Sequence, residues 1–343
     1  MDRKQIGTPT YLYYCGTFQL LNTTSIGNFS TPILQCLEDA SLSIYDVDYV
    51  CSNGNYTCVD LKSHKAYWWS TCREKRDASS YHFLDNNNKI VIGTNGLLDL
   101  KVDGTVNFIS LSNIQLSIDS SIKYLDAFAN SHKYALIDTE KKIHIYFENK
   151  NIIHYPATAE EPKIICLTEN TTGILFKNYT FQIKVDSSDK QFEFNDIIHV
   201  ASSEDRFVVI TTKSLVYEIY ENGTKKQIFG VQGTPISAFC GSKHYGVITY
   251  QGDAFLWGWG LSGQLGNGVC MNSDHPVKAK FDDSLRIVAA DGGTENTVFL
   301  AVKEMSFTPM LPEIMQSSPF IQTIRTTMNI EGSMNPDNKD VKF

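Results

Sequence analysis

Short apolar runs separated by polar turns recur along most of the chain. In each unit an apolar run leads through a turn to a second run and then a third, as in 236–241, 246–249 and 254–257. Runs of this length, rich in Val, Ile, Thr and aromatic residues, are typical of β-strands. The pattern therefore predicts an all-β chain built from one repeated unit.

The spacing of the units is typical of a β-propeller. Seven units can be placed, and successive units begin 33–50 residues apart, near positions 44, 83, 122, 163, 196, 235 and 285. Two β-sandwiches are the alternative, but the spacing is regular and no linker divides the chain. We therefore predict a seven-bladed β-propeller.

The last unit lacks outer strands of its own, and the N-terminal end can supply them. Tyr11–Gly16 has the pattern of a third strand followed by Gly, like Phe255–Gly260. A ring closed in this way has no open sheet edge between its first and last blades. We expect a propeller over 1–303, closed by an N-terminal strand, with strands in 9–20 completing the last blade.

Residues 304–343 differ in character from the rest and are expected to form a C-terminal tail, apolar at first and then polar. Met-rich apolar surfaces adapt readily to partners. The candidate partner-binding residues in this tail are Phe307, Met310, Leu311, Ile314, Met315, Phe320 and Ile321. A disordered tail, or a strap packed on the propeller, is the plainer interpretation.

One segment concentrates Gly, Trp and Gln at short spacing. Its motif residues are Gly241, His244, Trp257, Gly258, Trp259, Gly260, Gly263, Gln264, Leu265 and Gly266. Because Trp and Gly alternate, both indoles are expected on one face of a strand, between neighbouring blades. The glutamine is expected to satisfy backbone groups of the loop, and the histidine to form a hydrogen bond inside its own blade. These roles are structural.

This segment resembles the repeat of the regulator-of-chromosome-condensation family. The resemblance is strong over about 235–302 and weak elsewhere, and it implies a seven-bladed propeller closed by an N-terminal strand. The run 296–303 and the N-terminal stretch 14–18 are similar to a small, divergent branch of the family that pairs with a Jumonji-C oxygenase. The resemblance thus implies an adaptor whose partner holds the iron and cosubstrate, in a setting of chromatin or chromosome segregation.

The same family includes exchange factors for a Ran-like small GTPase, which is the alternative function. The resemblance implies that those proteins carry a protruding β-wedge and a basic tail. Here the units are short, and only Arg3 and Lys4 are basic near the N-terminus. Both departures weaken the exchange-factor interpretation.

The composition of the chain excludes several other classes of function. The net charge of −8 argues against direct nucleic-acid binding, which depends on Lys and Arg. No apolar run is long enough for a transmembrane helix, and no secretory signal follows the N-terminal Met, so we expect a nuclear or cytoplasmic protein without membrane contact. The eight Cys and eight His show no zinc spacing, and no nucleotide-binding or nucleophile motif occurs. We expect no catalysis and no cofactor; an enzyme with a metal site assembled only in space is the remaining alternative.

Overall fold

A computed structural model describes residues 10–16, 47–53, 56–70, 82–130, 132–149 and 151–303. The described residues contain 26 β-strands in seven antiparallel sheets, and no helix among them. In these same parts of the chain, no helix has the length and apolarity that crossing a bilayer requires. All of them belong to one compact unit, Met1–Pro309.

Among the described strands, each sheet follows its predecessor in the sequence, and the last sheet alone combines strands from both ends of the chain. Strand β1 (Thr10–Gly16) belongs to that last sheet. The first two sheets contain β2 (Val47–Asn53), β3 (Tyr56–Leu61), β4 (Lys65–Ser70) and β5 (His82–Asp85), then β6 (Asn87–Ile92), β7 (Gly96–Lys101) and β8 (Val106–Ser110). The third contains β9 (Tyr124–Asn130), β10 (Lys133–Asp138), β11 (Ile143–Phe147) and β12 (Ile152–Tyr155).

The remaining four sheets repeat this arrangement. The fourth contains β13 (Pro162–Leu167), β14 (Thr171–Phe176), β15 (Phe181–Val185) and β16 (Gln191–Phe194). The fifth contains β17 (Ile197–Ser202), β18 (Arg206–Thr211), β19 (Val216–Tyr220) and β20 (Lys225–Ile228). The sixth contains β21 (Pro235–Cys240), β22 (His244–Thr249), β23 (Ala254–Gly258) and β24 (Ser273–Lys278), and the seventh β25 (Leu285–Gly292) and β26 (Asn296–Lys303) with β1.

The first strands of the seven sheets form a closed ring. Each of β2, β6, β9, β13, β17, β21 and β25 contacts the next, and β25 contacts β2. All seven of these strands also carry a register shift near their start, as at Ile197/His199 and Pro235/Ser237. A bulge bends a strand and increases its twist, which suits a strand that packs at the axis of a ring. The predicted seven-bladed β-propeller is confirmed.

Burial follows the position of a strand within its sheet. The second strands β3, β10, β14 and β22 are buried at every position, because both faces pack against neighbouring blades. The outer strands β12 and β16 alternate between exposed and half-buried residues. The core thus lies between adjacent sheets, where Phe181 and Phe207 of successive blades meet edge to face at 5.2 Å.

The seventh sheet takes its third strand from the N-terminal end. β1 pairs antiparallel with β26, from Thr10 opposite Val302 to Gly16 opposite Asn296. Buried Cys15 of β1 packs in a core cluster with Leu265 and Phe299. Residues 17–20 and the predicted tail 304–343 lie outside the described residues, so the domain boundaries stay a prediction.

Two faces of the ring are distinguished by the connections that reach them. The face that carries the connections between first and second strands and between third and fourth strands is called the upper face. The opposite, lower face carries the connections between second and third strands and those that lead to the next sheet.

Candidate functional site

The junction between the fifth and sixth sheets is built around the indole of Trp257. This side chain of β23 is 2% exposed, and its Nε1 donates a hydrogen bond of 2.7 Å to Oε1 of Glu218 on β19. The other carboxylate oxygen accepts from Arg206 Nη1 at 3.2 Å and from the Tyr220 hydroxyl at 3.1 Å. A buried carboxylate is tolerated when it is paired and hydrogen-bonded in this way. The predicted burial of Trp257 between blades is correct.

Arg206 extends the same junction toward the upper face. Its guanidinium carbon lies 4.7 Å from the ring centre of Tyr220 and 4.9 Å from that of Tyr245 in the next sheet. Its Nη2 donates to Oδ2 of Asp205 at 2.8 Å, and its Nε donates to Oδ1 at 2.9 Å. These two hydrogen bonds hold the pKa of Asp205 below its ordinary value. The arginine is therefore committed to the junction between blades.

Trp259 does not share the environment of Trp257, so the expectation of two buried indoles on one face is wrong. Gly258 has a φ of +97°, which ends β23 at that residue. The alternation of side chains stops there, and Trp259 is 42% exposed. Its backbone N–H donates to the carbonyl of Lys243 at 2.9 Å, and the Lys243 ammonium lies 5.8 Å from the centre of its ring.

The connection between β23 and β24, residues 259–272, is called the apolar loop. Its two ends are joined by a hydrogen bond of 2.9 Å from Gly260 N to Oδ1 of Asn272. Within it, Ser262 N donates to Oε1 of Gln264 at 3.0 Å, as the sequence predicts for that glutamine. Leu265 is fully buried in the core below. The loop is therefore held at its ends and at its middle.

The glycines of the motif act in two ways. Gly263 and Gly266 have positive φ, as in tight turns, and so does Gly268 just beyond the motif. Gly260 instead permits a close approach, because a Cβ there would lie 2.0 Å from the carbonyl oxygen of Met271.

His244 links the sixth sheet to the seventh, rather than forming a bond inside its own blade as expected. Its Nε2 lies 2.8 Å from Oγ1 of Thr297 on β26, and that hydroxyl donates to the carbonyl of Gln264 at 2.8 Å. The hydroxyl has only one proton, so Nε2 of the histidine must be the donor. Burial lowers the pKa of His244 to about 4, which keeps the ring neutral at physiological pH.

Gly241 leaves the space that this histidine occupies. A Cβ at this position would lie 2.1 Å from Cε1 of His244 and 2.4 Å from the carbonyl oxygen of Gly293. Real Cβ atoms do not approach other atoms so closely, because sterics forbid it. The spacing of Gly241 and His244 in the motif therefore reflects packing between two blades.

The axis of the ring holds a polar cavity of about 150 Å³, which is absent from the expectations drawn from the sequence. First strands of the sheets line it, and Cys51, Cys166 and Cys240 occupy its wall. The sequence contains a pattern that indicates this wall, because an apolar residue followed by Cys recurs near the end of three first strands. Burial raises the pKa values of Cys166 and Cys240. At Cys51 a hydrogen bond with Cys58 lowers the pKa, but burial and the nearby Asp291 and Asp60 outweigh it and the pKa is raised. The three thiols are therefore protonated.

Asp291 is the acidic residue of this cavity. Its Oδ2 accepts a hydrogen bond of 2.7 Å from the backbone N–H of Ser52, which joins the seventh sheet to the first. Burial raises the pKa of Asp291 to about 7, despite the opposing effect of that hydrogen bond. The group is therefore divided between its neutral and charged forms near neutral pH.

A histidine pair in the third sheet is the other cluster with possible chemistry. Nε2 of buried His144 lies 2.9 Å from Oδ2 of Asp138, and its Nδ1 lies 2.8 Å from Nδ1 of exposed His154. The carboxylate fixes the tautomer of His144, so His154 donates to it. Within the described part of the chain, no group of three or more His, Cys, Asp or Glu is arranged to hold a metal ion.

His132 lies next to the start of the second strand of its sheet, but it is not equivalent to His244. It precedes β10 by one residue, whereas His244 is the first residue of β22. Its side chain is 63% exposed and lies 2.8 Å from Oε2 of Glu148.

All seven tail candidates, from Phe307 to Ile321, lie outside the described residues, so their predicted role in partner binding remains a prediction.

Comparison with protein families identifies a known repeat over the part of the sixth and seventh sheets that holds Trp257 and Thr297. Residues 251–300 match the regulator of chromosome condensation (RCC1) repeat. Over 71 residues the chain is 37% identical to "RCC1 domain-containing protein 1" of Homo sapiens, and over 70 residues it is 34% identical to the protein of that name from Mus musculus. The matched segment covers 20% of this chain and 19% of the human protein, so the chain matches about a fifth of its curated relatives.

Solved structures share the whole fold. Prp20p from Saccharomyces cerevisiae superposes with a TM-score of 0.69 at 12% identity, covering 94% of this chain and 95% of its own. Human WBSCR16 superposes with a TM-score of 0.62 at 11% identity, covering 86% of this chain and 99% of its own. Prp20p has been characterised for its binding properties to Gsp1p and histones, and yeast RCC1 (Prp20) has been crystallised bound to Kap60. At these identities the likeness shows the fold.

Proposed function

We propose that this chain, a β-propeller with an RCC1 repeat across its sixth and seventh sheets, is a non-catalytic protein-interaction subunit. The repeat and the fold support an interaction or regulatory role at the general level. A propeller presents two faces of loops on a rigid ring, which suits protein binding.

One observation carries the proposal: two polar rings of the motif, those of Trp257 and His244, form hydrogen bonds between blades. Trp257 binds Glu218 of the preceding sheet, and His244 binds Thr297 of the following sheet. All four are buried, and none faces the cavity at the axis. Their arrangement stabilises the ring and leaves the loops of the two faces as the functional surface.

The partner that we propose is a Jumonji-C oxygenase, in a nuclear or cytoplasmic setting linked to chromatin or chromosome segregation. The support is the resemblance to the branch that pairs with such an enzyme, together with the identity to RCC1 domain-containing protein 1 over 71 residues. In this proposal the iron and cosubstrate belong to the partner. The net charge of −8 disfavours direct binding to nucleic acid.

Guanine-nucleotide exchange on a Ran-like GTPase is the alternative. It is favoured by the likeness to Prp20p, whose binding properties to Gsp1p have been characterised. Against it, the longest connection between strands of one sheet among the described residues is the 14-residue apolar loop. That loop is packed against the sixth and seventh sheets, contains no strand and forms no β-wedge.

The test is a tagged pull-down from nuclear extract, with mass spectrometry of the captured proteins. Recovery of a Jumonji-C oxygenase by the full chain would support the adaptor. Recovery of a small GTPase that is released by added GTP would favour exchange instead. A second bait that ends at Lys303 asks whether the tail residues contribute, and loss of the oxygenase from it would assign them a role.

A further inference from the structure

The apolar loop exposes four large hydrophobic side chains on the upper face. Trp259 is 42% exposed, Leu261 53%, Val269 49% and Met271 65%. Single exposed hydrophobic residues are ordinary, whereas several within one short loop mark a surface that binds something. Aromatic residues and Met are also enriched at protein interfaces.

The loop is already ordered in the conformation that exposes these side chains. Gly260 N binds Asn272, Lys280 N donates to the carbonyl of Gly266 at 2.8 Å, and Leu265 is buried beneath them. A partner that docks here meets a fixed surface, so little conformational entropy is lost on binding.

Equivalent connections in neighbouring sheets do not expose apolar side chains. Residues 148–151, 186–190 and 221–224 also join third to fourth strands, and they are short and polar. The exposure of the apolar loop is therefore a property of the sixth sheet and not of the repeated architecture.

The upper-face connections of the two sheets that flank the sixth carry carboxylates. Asp205 lies beside the sixth sheet, because the adjacent Arg206 stacks on Tyr245 of that sheet. On the other side, Ser242 N donates to the carbonyl of Gly293 at 3.1 Å, so the connection 293–295 with Glu295 also adjoins the sixth sheet. In the flanking connections, Glu204 and Glu295 lie outside the ion pairs of the described residues, whereas Asp205 is paired with Arg206. The acids Glu169, Asp189 and Glu221 lie farther round the same face. The exposed lysines among its described residues are Lys190 and Lys243, of which Lys243 lies over the ring of Trp259. The rim of the apolar surface is thus negatively charged.

We infer that the apolar loop is the docking site for a basic amphipathic segment of the partner protein. Apolar side chains of that segment contact Trp259, Leu261 and Met271, and its flanking Lys or Arg residues face the carboxylates of the rim. Opposite charge around an apolar centre selects the partner and speeds its association. This inference rests on the proposed function, and it names the surface and the chemistry of the segment that binds there.

The test uses three labelled peptides of about 16 residues with helical Leu spacing. One has Lys at both ends, the second has Glu at both ends, and the third keeps the Lys ends but has Ser in place of Leu. Fluorescence anisotropy measures binding to the full chain. We expect the Lys–Leu peptide to bind about tenfold tighter than either of the others, with an affinity that falls as salt rises. Equal or tighter binding of the Glu peptide would overturn the inference.

Two variants locate the binding. The double variant Trp259→Ser with Met271→Ser is expected to weaken the Lys–Leu peptide about tenfold, because it removes two apolar anchors. Phe229→Ser is the matched control, since Phe229 is 69% exposed and follows β20 on the lower face. Equal loss in both variants, or no loss in the double variant, would contradict the assignment.

Photo-crosslinking keeps the test valid if the double variant folds poorly. A photoreactive leucine in the Lys–Leu peptide should label residues 259–272 of the unmodified chain, and labelling elsewhere would overturn the inference. Self-association through the apolar loop would identify a second copy of the chain as the occupant, and crosslinks from the loop to residues 304–343 would identify the tail. Either result would also overturn the inference. If the pull-down partner binds the wild-type chain and the double variant equally, the proposed function stands and this inference fails.

Discussion

The indole of Trp257 and the carboxylate of Glu218 join two blades of the propeller through a hydrogen bond of 2.7 Å. The pair lies between the fifth and sixth sheets, and both side chains are 2% exposed. A tryptophan in the repeat motif of one blade is thus matched by an acid in the blade before it. The motif acts on the contacts between blades as well as on the fold of its own sheet.

Replacing Trp257 should destabilise the propeller strongly. Trp257→Ala removes a buried aromatic side chain and leaves Glu218 without one of its donors, so we expect a loss of about 3–5 kcal/mol in the free energy of unfolding. Trp259→Ala is the control, because that indole is 42% exposed, and a loss below about 1 kcal/mol is expected. Urea unfolding of both variants measures the difference, and similar losses would contradict the placement of the two rings.

Introducing a Cβ at Gly241 should also destabilise the junction with the seventh sheet. Gly241→Ala would place the new carbon against the ring of His244 and the carbonyl of Gly293. Overpacking of this kind costs about 1–3 kcal/mol or more. Ser242→Ala, at the next position, should have little effect. Thermal unfolding compares the two variants, and a Gly241→Ala protein as stable as wild type would show that the blades can separate at no cost.

Acid should weaken the fold through His244. The folded-state pKa is about 4, below the ordinary histidine value of 6.5, so the unfolded chain binds more protons between these limits. Neutral His244 contributes on the order of 3 kcal/mol to the free energy of unfolding. This contribution is complete above pH 6.5 and is lost as the pH falls toward 4. Urea unfolding of wild type and His244→Gln across pH 4–7 checks this, and an equal slope in both proteins would refute it.

Asp291 should act in the opposite direction. Its folded-state pKa of about 7 exceeds the ordinary aspartate value of 3.8, so the folded state binds more protons between these limits. Its ionisation therefore reduces stability as the pH rises from 4 to 7, by on the order of 2–4 kcal/mol. Asp291→Asn keeps an acceptor for Ser52 N and should be more stable than wild type at pH 7. If the variant unfolds at lower urea than wild type at that pH, the charged form is the one that stabilises the ring.

The sequence predicts the architecture well, because the repeat is visible in the apolar pattern itself. First strands begin at positions 47, 87, 124, 162, 197, 235 and 285, within four residues of the expected starts. The fourth strands were not expected as part of the unit. They alternate exposed and half-buried residues, as in β12 and β16, and so resemble polar connections in the sequence.

Contacts of the site between blades could not be predicted from the sequence. His244 and Thr297 are 53 residues apart, and only the closed ring brings them together. The exposure of Trp259 depends on the positive φ of Gly258, which the sequence permits but does not require. The acid at Asp291 acquires its raised pKa from a cavity that forms only when all seven first strands are assembled.

Direct binding to a purified Jumonji-C oxygenase tests the central claim most simply. Calorimetric titration of the full chain into the enzyme should give a one-to-one complex with a Kd of about 1 µM or tighter. The same preparation of the chain should leave the rate of GDP release from a Ran-like GTPase unchanged. No heat of binding at about 100 µM, together with accelerated GDP release, would contradict the adaptor function and establish nucleotide exchange in its place.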